Sequence, residues 1–159
     1  MTVVWREPVL DEWIDYNGHL SEAYYVLVLG HATDAVMDAV GLGPSYRQER
    51  DASLFTVEAH VRYLDQVERG ADLEVRSEVV GATGTLLWIW HELYVDGRLR
   101  ATEEVLGVHV DTGTGRSSAF PDDVARRIEA ALVPAPAAAG RAIGLPGGSG
   151  RDVRAGRRP

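Results

Sequence analysis

The sequence contains no cysteine and no lysine. The first absence removes disulfides, thiolate nucleophiles and thiolate metal ligands. The second removes Schiff-base chemistry and a lysine general base. All sixteen basic residues are therefore arginines. A long uninterrupted apolar run is also missing. The most hydrophobic segment is broken by Gly30, His31 and Asp34, too often to span a bilayer. No signal-peptide pattern is visible at the start, so a cytoplasmic location without membrane association is the expectation.

What remains is ordinary for one globular domain: 159 residues, 45% apolar and 25% charged. The net charge of −8 is uneven, because residues 134–159 hold five arginines and one aspartate, leaving +4 on that segment and −12 on the rest. Nucleic acid is a poor partner for such an acidic body. After Val133 the composition falls to Pro, Ala, Gly and Arg. Too few large apolar residues remain there to offset the entropy of ordering. The predicted organisation is a folded domain over 1–133 and a disordered tail over 134–159.

Residues 13–29, WIDYNGHLSEAYYVLVL, organise the chain. A polar cluster of Asp15, Tyr16, Asn17, Gly18 and His19 runs directly into a long apolar helix. Asn17-Gly18 is a turn signal, since both residues tolerate positive φ. Ser21 is placed to cap the helix, with Glu22 in its first turn, where negative charge is favoured. Over 23–40 the polar exceptions are His31, Thr33, Asp34 and Asp38. A helix apolar over most of its circumference must be wrapped by other structure. A carboxylate, an amide and an imidazole thus gather at a helix N-terminus, where free N–H groups can polarise a carbonyl oxygen.

Strands are predicted over 2–9, 53–64, 73–80, 86–95 and 99–110. In 53–64, Phe55, Val57, Ala59, Val61 and Tyr63 alternate with Thr56, Glu58, His60 and Arg62, which predicts one apolar face and one row of functional side chains. In 86–95, Leu87, Ile89, Leu93 and Val95 oppose Trp88, Trp90 and Tyr94. The aromatic face is expected to be covered by another subunit. Asp96-Gly97 is a tight hairpin signal. The alternation of the last strand breaks near Glu103-Glu104, which suggests a bulge. Residues 45–51 read as a loop with room for one helical turn, and 121–132 as a short amphipathic helix. The order gives an α+β layer arrangement, one long central helix wrapped by an antiparallel sheet of about five strands.

These residues in this order resemble the hotdog-fold acyl-CoA thioesterases of the 4-hydroxybenzoyl-CoA thioesterase type, over about residues 3–120. The family's Asp, Gly-His, hydrophobic-Asn and Tyr at the helix start read here as Asp15, Gly18-His19, Leu20-Ser21 and Tyr24-Tyr25. Ser21 replaces the usual Asn. Trp13 stands where many members carry the first Asp of Asp-x-Asp. WIDYNGHLSEAYY, SLFTVEAHVRYLDQV, the His91 strand and LGVHVDTGTGRSSAFP are also similar to the thioesterase domains fused to, or encoded beside, carnitine dehydrogenases. Those domains are associated with betainyl-CoA hydrolysis.

The resemblance implies a hotdog fold, an acyl-CoA substrate, no cofactor beyond the CoA of the substrate, and a homodimer or homotetramer with its site between subunits. Asp15, Glu58 and His19 are the candidate catalytic residues. Asp15 activates water or attacks the thioester itself. Glu58 is a second carboxylate and becomes the general base if Asp15 only orients. His19 bonds the thioester carbonyl or orients Asp15. Trp13, Tyr16, Asn17, Gly18, Thr56 and His60 are candidates for substrate binding. For a trimethylammonium acyl group, Trp13 and Tyr16, joined by Tyr24 or Tyr25, offer cation–π faces. Arg47, Arg50, Arg62 and Arg69 are candidates for the CoA phosphates. Each candidate also has a plain structural role open to it. An Asp before a helix is commonly a turn residue, and Glu58 fits a solvated sheet face. His31, His91 and His109 read as structural, and the five histidines lack close metal-ligand spacing, so no metal is predicted. Two other functions stay open. One is a non-catalytic acyl-CoA-binding module. The other is a hotdog enoyl-CoA hydratase, whose Asp-x-Asn-Pro-x-His is one residue longer than the Asp15-x-Asn17-Gly18-His19 found here.

Overall fold

The computed structural model describes residues 1–140. Residues 141–159, most of the tail predicted to be disordered, lie outside the described residues. The elements in order are β1 (Thr2–Pro8), a 3₁₀ turn (Asp11–Trp13), α1 (Glu22–Ala39), α2 (Pro44–Arg50), β2 (Ala52–Tyr63), β3 (Asp72–Ala82), β4 (Leu86–Val95), β5 (Arg98–Asp111), β6 (Arg116–Ser117) and α3 (Asp122–Ala131). The sheet runs β1-β3-β4-β5-β2, antiparallel throughout, and the two-residue β6 adds to β5. These are the five predicted strands and one short addition. Asp96 and Gly97 turn β4 into β5 with φ of 49° and 72°, both left-handed, as a two-residue type I′ hairpin requires.

The predicted loop over 45–51 is instead α2. Pro44 starts it, where a missing N–H and a fixed φ cost nothing. Tyr46 is buried and its hydroxyl meets His109 Nε2 at 2.9 Å. Seven residues carry too few apolar repeats to show helical periodicity in the sequence.

The helix α1 lies on the inner face of the sheet and divides the core. Its first half packs Tyr25, Val28 and Leu29 with Trp13, Leu73 and Leu93. Its second half packs Val36 and Val40 with Leu87, Ile89 and the α3 residues Val124 and Ile128. Thr33 lies between the two, hydrogen-bonded to His91. The wrapping is one-sided, however. Val26 and Leu27 of α1 are exposed, as are Phe55, Val57 and Tyr63 of the edge strand β2.

The register of β2 differs from a strict alternation. Thr56 pairs with Gly107 and Glu58 with Leu106, so Val57 is an extra residue. A bulge of this kind reverses which parity faces inward. Ala52 and Leu54 face the core before it, and Val61 packs on the core after it. The predicted row of Thr56, Glu58, His60 and Arg62 is therefore split. Thr56 faces α1, while Glu58, His60 and Arg62 turn to the outer side. The expected break at Glu103-Glu104 also moves. The extra residue in β5 is Arg100, between the pairs Leu93–Ala101 and Tyr94–Leu99. Ala101, Glu103, Val105, Gly107 and His109 keep an unbroken buried alternation.

The aromatic outer face is partly closed within the chain. Trp90 is only 3% exposed. Glu92 accepts hydrogen bonds from Trp90 Nε1 at 3.3 Å and the Tyr94 hydroxyl at 2.6 Å, and Arg76 stacks over the Tyr94 ring at 4.5 Å. The Gly140 N–H donates to Glu104 on the same face at 2.8 Å. Trp90 thus needs no second subunit to be buried. The uncovered apolar surface is at α1 and the β2 edge instead. Among the described residues no single helix is long and apolar enough to cross a membrane.

Candidate active site

The polar cluster forms a small hairpin. Ile14 bridges Leu20, the Asp15 N–H donates to His19 O at 2.9 Å, and the Gly18 N–H donates to Asp15 O at 3.0 Å. This is a three-residue loop that needs a left-handed residue at its end, and Gly18 supplies it with φ of 83°. Asn17 is not left-handed. Its role is different: the Asn17 N–H donates to Asp15 Oδ1 at 2.8 Å and its Nδ2 to Oδ2 at 3.3 Å. The Asp15 carboxylate is thereby fixed by its own turn, with lone pairs left for a water. Tyr16 stands at the tip, 97% exposed. His19 bridges Glu68 in the backbone, with 3.6 Å between its Nε2 and Glu68 Oε1.

The helix start follows. Ser21 occupies the N-cap position, but its hydroxyl makes no capping bond. Its N–H donates to Trp13 O, and the Leu20 N–H to Val67 O, both at 2.9 Å. The N–H groups of Gly18 and Leu20 are thus committed inside the chain. Those of Glu22 and Ala23 open α1 with no acceptor among the described residues, and these are the donors a carbonyl oxygen would meet. Trp13 is buried and stacks on Tyr24, centroids 5.4 Å apart at 14°. Tyr25 stands edge-on to Tyr63 at 5.3 Å.

Along α1, between the helix and β2, runs a groove of about 700 Å³. Val26, Leu27, Met37 and Val105 supply apolar walls, and Thr56, Asp34 and Glu103 the main polar groups. Glu103 is 3% exposed, and burial pushes its carboxyl up to about 7. Its ladder neighbour on β4 is His91. Both ring nitrogens of His91 are occupied, Nδ1 with Ser77 Oγ at 2.7 Å and Nε2 with Thr33 Oγ1 at 3.0 Å. Burial lowers the His91 pKa to about 3, so the ring is neutral. Glu103 was not a candidate from the sequence. The signal was present in the parity of Ala101, Val105, Gly107 and His109, which places position 103 inward.

The structure therefore gathers Trp13, Asp15, Tyr16, Asn17, Gly18 and His19 at the start of α1 and sets Thr56 in the groove. Glu58 and His60 lie on the other face of β2, where His60 Nδ1 is 3.3 Å from Glu104 Oε1. Of the arginine candidates, Arg50 pairs with Asp123 at 3.7 Å and Arg69 with Asp11 at 2.6 Å. Arg47 and Arg62 have no ion pair among the described residues. His31 meets Glu7 at 2.8 Å and His109 meets Ser118 O at 2.8 Å. No three His, Asp or Glu side chains among the described residues converge as a metal would require.

The model of the thioesterase-like superfamily matches residues 9–128. The chain belongs to that superfamily. It is a thioester hydrolase of the hotdog fold. Over 149 residues it is 42% identical to the betainyl-CoA thioesterase of Pseudomonas aeruginosa, covering 89% of this chain and 94% of the relative. It is 41% identical over 118 residues to the L-carnitine dehydrogenase/betainyl-CoA thioesterase of Agrobacterium fabrum, covering 74% of this chain and only 24% of that longer protein. A Staphylococcus aureus protein solved in complex with CoA superposes with a TM-score of 0.85 at 25% identity, over 92% of this chain and 96% of the other.

Proposed function

We propose that this thioesterase cleaves acyl-CoA esters with a small cationic acyl group, betainyl-CoA above all, to the free acid and CoA. The observation that carries the reading is the 42% identity held over 89% of the chain with a betainyl-CoA thioesterase. The carbonyl oxygen accepts hydrogen bonds from the N–H groups of Glu22 and Ala23, at the positive end of α1. A water attacks the carbonyl carbon and gives its proton to the Asp15 carboxylate. The C–S bond then breaks, and sulfur leaves with the electron pair as the CoA thiolate, which needs little acid help. Asp15 releases its proton to the thiolate or to solvent and is restored as a carboxylate. His19, held near Glu68, orients the ester or the water. Water is the only other reactant, so the cycle needs no cofactor. A cytoplasmic setting, where acyl-CoA esters are made, suits the reaction.

The working unit is a homodimer. Val26, Leu27, Phe55, Val57 and Tyr63 form exposed apolar surface on α1 and β2, and β2 ends the sheet without a partner on its outer side. Such an edge is ordinarily covered. A second copy seated there roofs the groove and brings its own Asp15 loop toward it.

The test is CoA release, followed by thiol detection, over betainyl-CoA, 4-hydroxybenzoyl-CoA, and short and long straight-chain esters. The expected result is a kcat/KM for betainyl-CoA at least about tenfold above the others, the 1.4 kcal/mol that one favourable charge contact readily supplies. A lead for another ester would discard the cationic acyl group and keep the thioesterase.

A further inference from the structure

A carboxylate is costly to bury unless a partner neutralises it. Glu103 is buried, and its carboxylate has no hydrogen bond or ion pair to any described residue. His91, the nearest base on the ladder, is held on both nitrogens by Ser77 and Thr33. The groove that Glu103 lines contains no arginine, and its one imidazole, His31, has its Nδ1 committed to Glu7 at 2.8 Å. Asp34 adds a second acidic group to the lining. The remaining walls are mostly aliphatic. The site is therefore acidic, largely apolar and short of cations, and a cation bound there would meet a counter-charge that no wall residue already occupies.

The chemistry of the walls narrows the cation. A guanidinium carries five N–H donors and a primary ammonium three. Most of these would be left unpaired against Val26, Leu27 and Val105, at the usual cost of a buried donor. A quaternary ammonium carries none. It meets one carboxylate by charge and the aliphatic walls by its methyl groups.

We propose that Glu103 is the specificity residue of this thioesterase, the counter-charge that holds the quaternary ammonium of the acyl group and selects it over an uncharged acyl group of the same shape. The proposal rests on the betainyl-CoA reading and adds the residue that enforces it. In betainyl-CoA the ammonium nitrogen is two bonds from the reacting carbonyl carbon. A group that fixes the nitrogen therefore also fixes the carbonyl.

The test compares betainyl-CoA with 3,3-dimethylbutanoyl-CoA, in which a quaternary carbon replaces the nitrogen. Wild-type rates are read first. If the wild type cleaves other esters but not betainyl-CoA, the substrate reading fails and takes the proposal with it. If the wild type prefers betainyl-CoA, Glu103→Gln is expected to lower kcat/KM for that ester about 100-fold, the usual scale for removing one partner of a buried charge pair. It should leave the neutral ester within about threefold. Equal losses on both esters would overturn the proposal, because they would mark a catalytic or folding role. A measurement without any variant guards against a misfolded mutant. Glycine betaine should inhibit the wild type at least about tenfold more strongly than 3,3-dimethylbutanoate, and equal inhibition would overturn the proposal as well.

Discussion

Asp15 is held by the residue two places along the chain, whereas Glu103 is held only by its position between α1 and the sheet. The Asn17 backbone and side chain fix the first carboxylate in an exposed turn. No described residue bonds the second carboxylate, and burial raises its pKa. One is a carboxylate kept ready in water beside a helix N-terminus. The other lines the groove beside α1, where burial disfavours its charged form. Two acidic groups on one scaffold can thus divide the labour, one acting on the ester bond and one reading the acyl charge.

The largest expected effect separates these roles directly. Asp15→Asn keeps a residue that can form the same turn but removes the proton acceptor. The kcat should fall about 10²–10⁴-fold, and equally for cationic and neutral esters, when CoA release is followed at saturating substrate. Glu103→Gln should affect the cationic ester alone. A loss at Asp15 that depended on acyl charge would dissolve the distinction between the two sites.

A second test asks whether the two regions meet only across a subunit boundary. Val57→Arg sets a like charge opposite its own copy on the β2 edge, which costs several kcal/mol in a two-fold contact. Val57 is 57% exposed, so the fold itself should be unaffected. Sedimentation should show monomers, and kcat/KM should fall about tenfold or more. A fully active monomer would mean that one chain holds the whole site.

A third effect is read as stability against pH. The Glu103 carboxyl is raised from 4.5 to about 7 in the fold. The folded chain therefore binds more protons there than the unfolded chain between these values, and its stability falls as pH rises through the window, by about 3 kcal/mol. His91 has the opposite sign. Its folded pKa lies near 3, below the ordinary 6.5, so its contribution is complete above pH 6.5 and is lost as pH falls toward 3. From 4.5 to 6.5 the two slopes oppose and the wild type should show a plateau. Glu103→Gln should be more stable than the wild type in urea at pH 8, by up to about 3 kcal/mol, and the same at pH 4.5. Equal stability at both values would show that the carboxyl is solvated and not a buried reserve.

The same contrast explains what the sequence disclosed. The Asp15 loop, the helix behind it and the Asp96-Gly97 hairpin were legible because each depends on neighbours within a few residues. The facing of Thr56 and Glu58 was not, since the bulge at Val57 is set by pairing with Gly107, fifty residues away. A Cβ at Gly107 would lie 2.7 Å from the Leu54 side chain, a closeness no local pattern reveals. Glu103 was hidden for a related reason. A charge inside an apolar alternation reads as a break, although the parity of Ala101 and Val105 continues through it. The short helix α2 escaped because seven residues do not establish a period.

The smallest expected effect tests how local the Asp15 loop is. Gly18 has φ of 83°, and a Cβ there would meet nothing within 4 Å. Gly18→Ala thus carries backbone strain with no clash, about 1 kcal/mol, or about 3 °C in Tm for a chain of this size. The turn retains the Asn17-to-Asp15 bonds, so kcat should change less than about threefold, far below the loss on removing the carboxylate itself. Calorimetry and CoA release on the same preparation give both numbers. A kcat that fell tenfold with an unchanged Tm would show that Gly18, and not Asn17, sets the aim of the Asp15 carboxylate. The loop would then share with Glu103 a dependence on geometry that its own side-chain bonds do not supply.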